Sequence, residues 1–155
     1  MSKGDQMPEQ CTECGALLPE GRTCQEIFDG FTTLKYLHED YLHVHFLLVS
    51  CFMIQHRRYS QEALVQVQSM LHAFLERPMT VQQLRQMATQ SMNGHTRTWK
   101  MKRAEDDPPF PKIAWRITII DVAQNSQEGQ DVEQYCAQVK QWARSTLEQM
   151  LPLHR

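Results

Sequence analysis

No apolar run in the 155-residue sequence reaches the roughly 18–20 residues that a membrane-spanning helix needs, which excludes a helical membrane protein. The opening MSKGDQMPEQ lacks the apolar stretch of a secretory signal, so a cytoplasmic protein is the expectation. Also missing are a phosphate-cradling glycine loop, an HExxH string and a serine–histidine pair. These are signatures of nucleotide binding, zinc proteolysis and acyl transfer, so no reaction can be read from the chain. An even set of cysteines is lacking too. Five cysteines without an export signal argue against a disulfide framework, because reducing compartments keep thiols free.

What is present fits one ordered domain. Hydrophobic residues make up 41% and charged residues 22%, a balance that supports a packed core. Residues 1–9 read as a flexible N-terminus and 10–151 as a single domain. The formal charge of −2 hides a pattern along the chain. Residues 1–56 carry 3 basic and 8 acidic side chains, 57–103 carry 8 and 2, and 104–155 carry 5 and 8. The middle is therefore basic and both flanks are acidic.

Three cysteines fall close together, Cys11, Cys14 and Cys24, in CTECGALLPEGRTC. Two residues between Cys11 and Cys14 let the chain turn so that both thiolates reach one ion, and Gly15 permits the positive φ of such a knuckle. Thr23 and Glu26 occupy the two positions of a capping box. Cys24 then falls in the first helical turn, where the helix dipole favours a thiolate. Zinc is the expected ion. A redox CxxC pair expects a strand before it and a helix directly after, whereas ALLPEG reads as loop. Cys51 and Cys136 stand alone in apolar or helical stretches and read as small buried hydrophobes.

A closed structural site needs a fourth ligand, and histidines surround LHVHFLLVSCFMIQH, which reads as a buried helix. His45 and His56 are separated by about 16 Å along such a helix, and His43 and His56 point to roughly opposite sides. They cannot share one ion. His56 is favoured because a neighbouring loop can reach the helix end, with His43 and His45 as the alternatives. His38 and His72 read as ordinary surface or core residues.

The order CTECG, then TCQEIFDGF, then a histidine-containing apolar helix ending in IQH resembles an uncharacterised bacterial family with a CxxCG start and a Gln-His-Pro motif. The late YCAQVKQWARSTLEQM is similar to that family's C-terminal end. The resemblance implies a domain of unknown function with a metal site formed by Cys11, Cys14, Cys24 and a histidine. The chain departs from the pattern at Arg57, where a proline is expected, and this bears on how the helix ends.

The remaining segments are mostly helical in pattern. Ser60 is a good N-cap for a helix to Glu76 with Leu64, Val67, Leu71, Phe74 and Leu75 at helical spacing. Thr80 and Gln83 mark another capping box, with Val81, Leu84, Met87 and Ala88 inward and Asn93-Gly94 as the stop. Residues 95–111 read as an exposed, charged, proline-rich loop. AWRITIIDV is either one short strand or the start of a buried helix. Asp131 opens a last helix to about Leu151 with an apolar stripe from Val132 to Met150. The expected fold is mainly α, a bundle of about five helices with an N-terminal zinc knuckle.

Three function classes follow. A non-catalytic zinc domain, structural or partner-binding, is favoured because three thiolates and an imidazole leave no open coordination position. Nucleic-acid binding is motivated by Arg57, Arg58, Arg97, Lys100, Lys102 and Arg103 and by Trp99. A helix-turn-helix across Arg77-Pro78 would present Gln82, Gln83 and Gln86, yet its second helix holds a single basic residue, Arg85. A metal-dependent hydrolase would draw its acid or base from Glu39, Asp40 or His43.

Overall fold

A computed structural model describes residues 9–19, 21–77, 79–92, 100–106, 111–125 and 132–150. Strands β1 (Glu9–Gln10) and β2 (Leu17–Leu18) pair antiparallel, Glu9 opposite Leu18 and Gln10 opposite Leu17. Six α-helices follow among the described residues: α1 (Cys24–Thr32), α2 (Glu39–Gln55), α3 (Gln61–Glu76), α4 (Val81–Met92), α5 (Ile119–Asn125) and α6 (Val132–Met150). A single 3-10 turn, Thr33–Tyr36, joins α1 to α2. No helix among the described residues is long and apolar enough to cross a membrane.

The helix starts are local chemistry. Thr23 Oγ1 accepts from Glu26 N–H at 3.1 Å, and Ser60 Oγ accepts from Ala63 N–H at 3.1 Å. Thr80 and Gln83 form the full reciprocal box, each side chain accepting from the other's backbone N–H at 3.0–3.1 Å. His38 caps α2 through Nδ1, which accepts from Asp40 N–H.

Helix α2 is the axis of the bundle. Its apolar residues face nearly all directions, as expected of a helix covered on most sides. Val44, Leu47, Leu48, Cys51, Phe52 and Ile54 are all buried, and α6 supplies Val139, Trp142, Ala143 and Met150 against them. The stripe expected along α6 is therefore core. AWRITIIDV ends in the short helix α5, and the strands lie in the N-terminal hairpin. The expected Asn93-Gly94 stop, Asp131 cap and flexible residues 1–8 lie outside the described residues.

One polar tie crosses this core. Gln55 is buried at the end of α2, and its Nε2 donates to Ile117 O at 2.8 Å and to Thr146 Oγ1 at 3.1 Å. The amide thus pins the approach to α5 and the last turns of α6 to α2. Gln55→Leu is expected to destabilise the domain by about 1 kcal/mol, because it removes both hydrogen bonds and leaves the part-buried Ile117 carbonyl without this donor. The corresponding fall in melting temperature, roughly 2–4 °C per kcal/mol at this size, is measurable by thermal denaturation.

Candidate metal centre

The site is assembled from three elements. The hairpin between β1 and β2 carries Cys11 and Cys14, and its turn is closed by Gly15 N–H to Cys11 O at 2.9 Å and Cys11 N–H to Ala16 O at 2.8 Å. Gly15 sits at φ 81°, a conformation a residue with a Cβ adopts only with strain. Cys24 is the first residue of α1, placed there by the Thr23 cap. His56 follows the last residue of α2. Phe28 of α1 stacks on Phe52 of α2 with centroids 4.1 Å apart, which holds the two helix ends together.

The Sγ atoms of Cys11, Cys14 and Cys24 and one ring nitrogen of His56 all lie within 4.8 Å of one another. Cys14 Sγ is 3.6 Å from Cys24 Sγ, and Cys11 Sγ is 3.7 Å from His56 Nε2. Around a tetrahedral ion with sulfur ligands at about 2.3 Å and a nitrogen at about 2.0–2.1 Å, neighbouring donors stand roughly 3.5–3.8 Å apart. Both distances match the edges of such a tetrahedron. All five cysteines are free thiols.

The imidazole is oriented for the task. His56 Nδ1 lies 2.8 Å from Phe52 O, and a carbonyl only accepts, so Nδ1 carries the proton. In the neutral ring this leaves the lone pair on Nε2, aimed at the cysteines, the outer-shell arrangement common to metal-binding histidines.

Electrostatics point the same way. A hydrogen bond from Cys24 holds the Cys14 thiol far below its ordinary range, at about 4, against the opposing effect of burial. His56 and the Ala16 backbone contribute in the same direction. Cys24 is pushed strongly upward by that same hydrogen bond, by burial and by the negative charges of Cys14 and Cys11. Without a cation the pocket therefore favours one thiolate and resists the next. A dication reverses that repulsion, and the donor set fits one. Cys14, Cys24 and His56 are buried, whereas Cys11 is partly exposed. Cys11 and Cys14 border a cavity of about 440 Å³ that also meets Thr12, Lys112 and Ile113.

A family of unknown function, DUF5946, matches residues 9–151, a span that takes in all four donors and all six helices. The chain belongs to DUF5946. No curated protein and no solved structure matches it.

In this DUF5946 chain the other histidines lie elsewhere. His43 Nε2 is hydrogen-bonded to Met79 O, and its ring packs 5.0 Å from Phe74. His45 is half-buried, its pKa lowered by burial and by the Lys35 charge. His72 pairs with Glu76 on the surface at 3.3 Å. Cys51 is fully buried, and burial raises its thiol to about 12, while Cys136 Sγ points to Asp40 O at 3.5 Å. Glu39, Asp40 and His43 occupy the opposite end of α2, roughly 20–25 Å along the axis from His56.

Two features of the site went unforeseen. Arg57 takes φ 52°, the single non-glycine residue with positive φ among those described, and its guanidinium pairs with Glu13 of the knuckle at 3.2 Å. Its N–H bonds Ile54 O and the Arg58 N–H bonds Met53 O, both at 3.0 Å, which is the Schellman ending of a helix. Nothing local in the sequence links Arg57 to Glu13.

Proposed function

We propose that this domain binds one Zn2+ through Cys11, Cys14, Cys24 and His56, and that the ion is a structural staple joining the hairpin and α1 to the end of α2. The observation that carries this reading is the meeting of four soft or borderline donors, from three separate elements, within 4.8 Å of one another. Three thiolates and an imidazole complete the coordination of a zinc ion, so no position is left for a reacting water. A hydrolytic reading also needs an acid or base beside the ion, and Glu39, Asp40 and His43 are too distant to serve. Five free thiols suit a reducing compartment, which makes the cytoplasm the proposed location.

Elemental analysis of the purified protein is the test, run beside alanine substitutions of the three histidines. The expected result is one zinc per chain, retained in His43→Ala and His45→Ala and bound at least tenfold more weakly in His56→Ala. Metal-free wild-type protein refuses the reading, and so does unchanged affinity in His56→Ala.

A further inference from the structure

We infer that the paired segments 57–60 and 100–103 form a binding surface for the phosphodiester backbone of a nucleic acid. These stretches are distant in sequence but run side by side. Tyr59 bridges antiparallel to Lys102, Ser60 N–H bonds Met101 O at 2.9 Å, and Arg103 N–H bonds Arg58 O at 2.9 Å. The pairing gathers Arg57, Arg58, Lys100, Lys102 and Arg103 into one ridge.

The five cations divide into two groups. Arg57 is tied to Glu13, and Arg103 Nε donates to Arg57 O at 3.0 Å, so these two brace the ridge. Arg58, Lys100 and Lys102 are exposed, and no carboxylate among the described residues forms an ion pair with them. Arg58 is held in place, its guanidinium 4.9 Å over the Phe52 ring and 3.2 Å from Gln25 Oε1. A preoriented guanidinium loses less entropy when it meets a phosphate.

The overall charge of −2 sets the kind of ligand. At physiological salt the screening length is about 8 Å, so only charge close to the ridge acts on a partner. A nucleic-acid strand brings a phosphate with every nucleotide and releases condensed counterions on binding. An acidic peptide supplies matching charge density, and with it matching counterion release, only where nearly every residue is acidic. The helix-turn-helix surface is the weaker candidate, because Arg85 is alone on α4 and the Gln83 side chain is engaged in capping. Arg97 and Trp99 lie outside the described residues.

The test is fluorescence anisotropy with a labelled 20-nucleotide single-stranded RNA, titrated at several salt concentrations from about 50 mM. Three phosphate contacts predict a slope of log affinity on log salt near −2, at about −0.7 per contact. Lys100→Glu/Lys102→Glu is expected to weaken binding at least tenfold, with zinc content and melting temperature equal to those of the wild type. Arg85→Glu/Arg144→Glu makes the same change in net charge away from the ridge and is expected to bind like the wild type. Absence of binding at 50 mM salt overturns the inference, as does equal loss in both double variants. Polyglutamate binding as tightly as the RNA at equal charge would instead assign the ridge to an acidic protein. None of these outcomes depends on the identity of the metal.

Discussion

Treatment with a strong chelator is expected to abolish cooperative folding, or to lower the melting temperature by tens of degrees, with recovery when zinc is returned. The reason is the relative size of two energies. Apparent binding free energies of structural zinc in small thiolate sites are about 10–16 kcal/mol, and whole domains are stable by about 5–15 kcal/mol. Under the proposed reading ion binding and folding form one process, because the four side chains come from the hairpin, the first turn of α1 and the end of α2. Without the ion, the buried Cys14 and Cys24 resist ionising together. Cys24→Ser should reproduce most of the loss, since a hydroxyl is a poor replacement for a thiolate ligand and Cys24 is buried. Circular dichroism at matched protein concentration, with metal content measured before and after chelation, reads the effect. A melting curve that stays put once the ion is gone would falsify the structural role.

The second large effect is expected at the end of α2. Arg57→Pro should destabilise the domain by about 3 kcal/mol, because proline fixes φ near −65° and has no N–H. The residue now sits at φ 52° and donates to Ile54 O, so both requirements fail together. Arg57→Gly separates backbone from charge. Glycine accepts the left-handed conformation without strain and keeps the N–H, while losing the pair with Glu13. That pair is partly exposed and contributes at most about 1 kcal/mol, so the glycine variant should stay within about 1 kcal/mol of the wild type. Urea unfolding at saturating zinc compares the two. Equal destabilisation by proline and glycine would place the effect in the ion pair instead.

The Arg57 position also shows where sequence reading stops. Capping boxes at Thr23–Glu26 and Thr80–Gln83 were legible because both partners lie within one turn of chain. The spacing of Cys11 and Cys14 was legible for the same reason, whereas helix geometry established only that His43, His45 and His56 cannot share one ion, and the reach of a loop to the helix end favoured His56. Cys11, Cys14, Cys24 and His56, the set favoured on those grounds, lie within 4.8 Å of one another. Helix α5 was readable in principle. Thr118 and Asp121 have capping spacing, and Asp121 Oδ2 accepts from Thr118 N–H at 2.8 Å. The β-branched residues around them obscured that signal, since short apolar runs suit strand and helix alike. The pairing of Tyr59 with Lys102 was of another kind. It joins two stretches of irregular backbone that α3 and α4 separate in sequence, and only tertiary packing selects such a partner.

Gln55 and His56 are neighbours with opposite duties, one tying α2 to Ile117 and Thr146, the other facing the knuckle. That adjacency has a consequence for the order of events during synthesis. A chain made from its N-terminus presents three thiols by residue 24, well before the imidazole exists. An ion captured early would be held by an incomplete shell until α2 has emerged and ended. Gln55 still lacks its partners then, because Ile117 and Thr146 come much later. The nascent chain would therefore close its metal shell first and lock the same helix end into the core last.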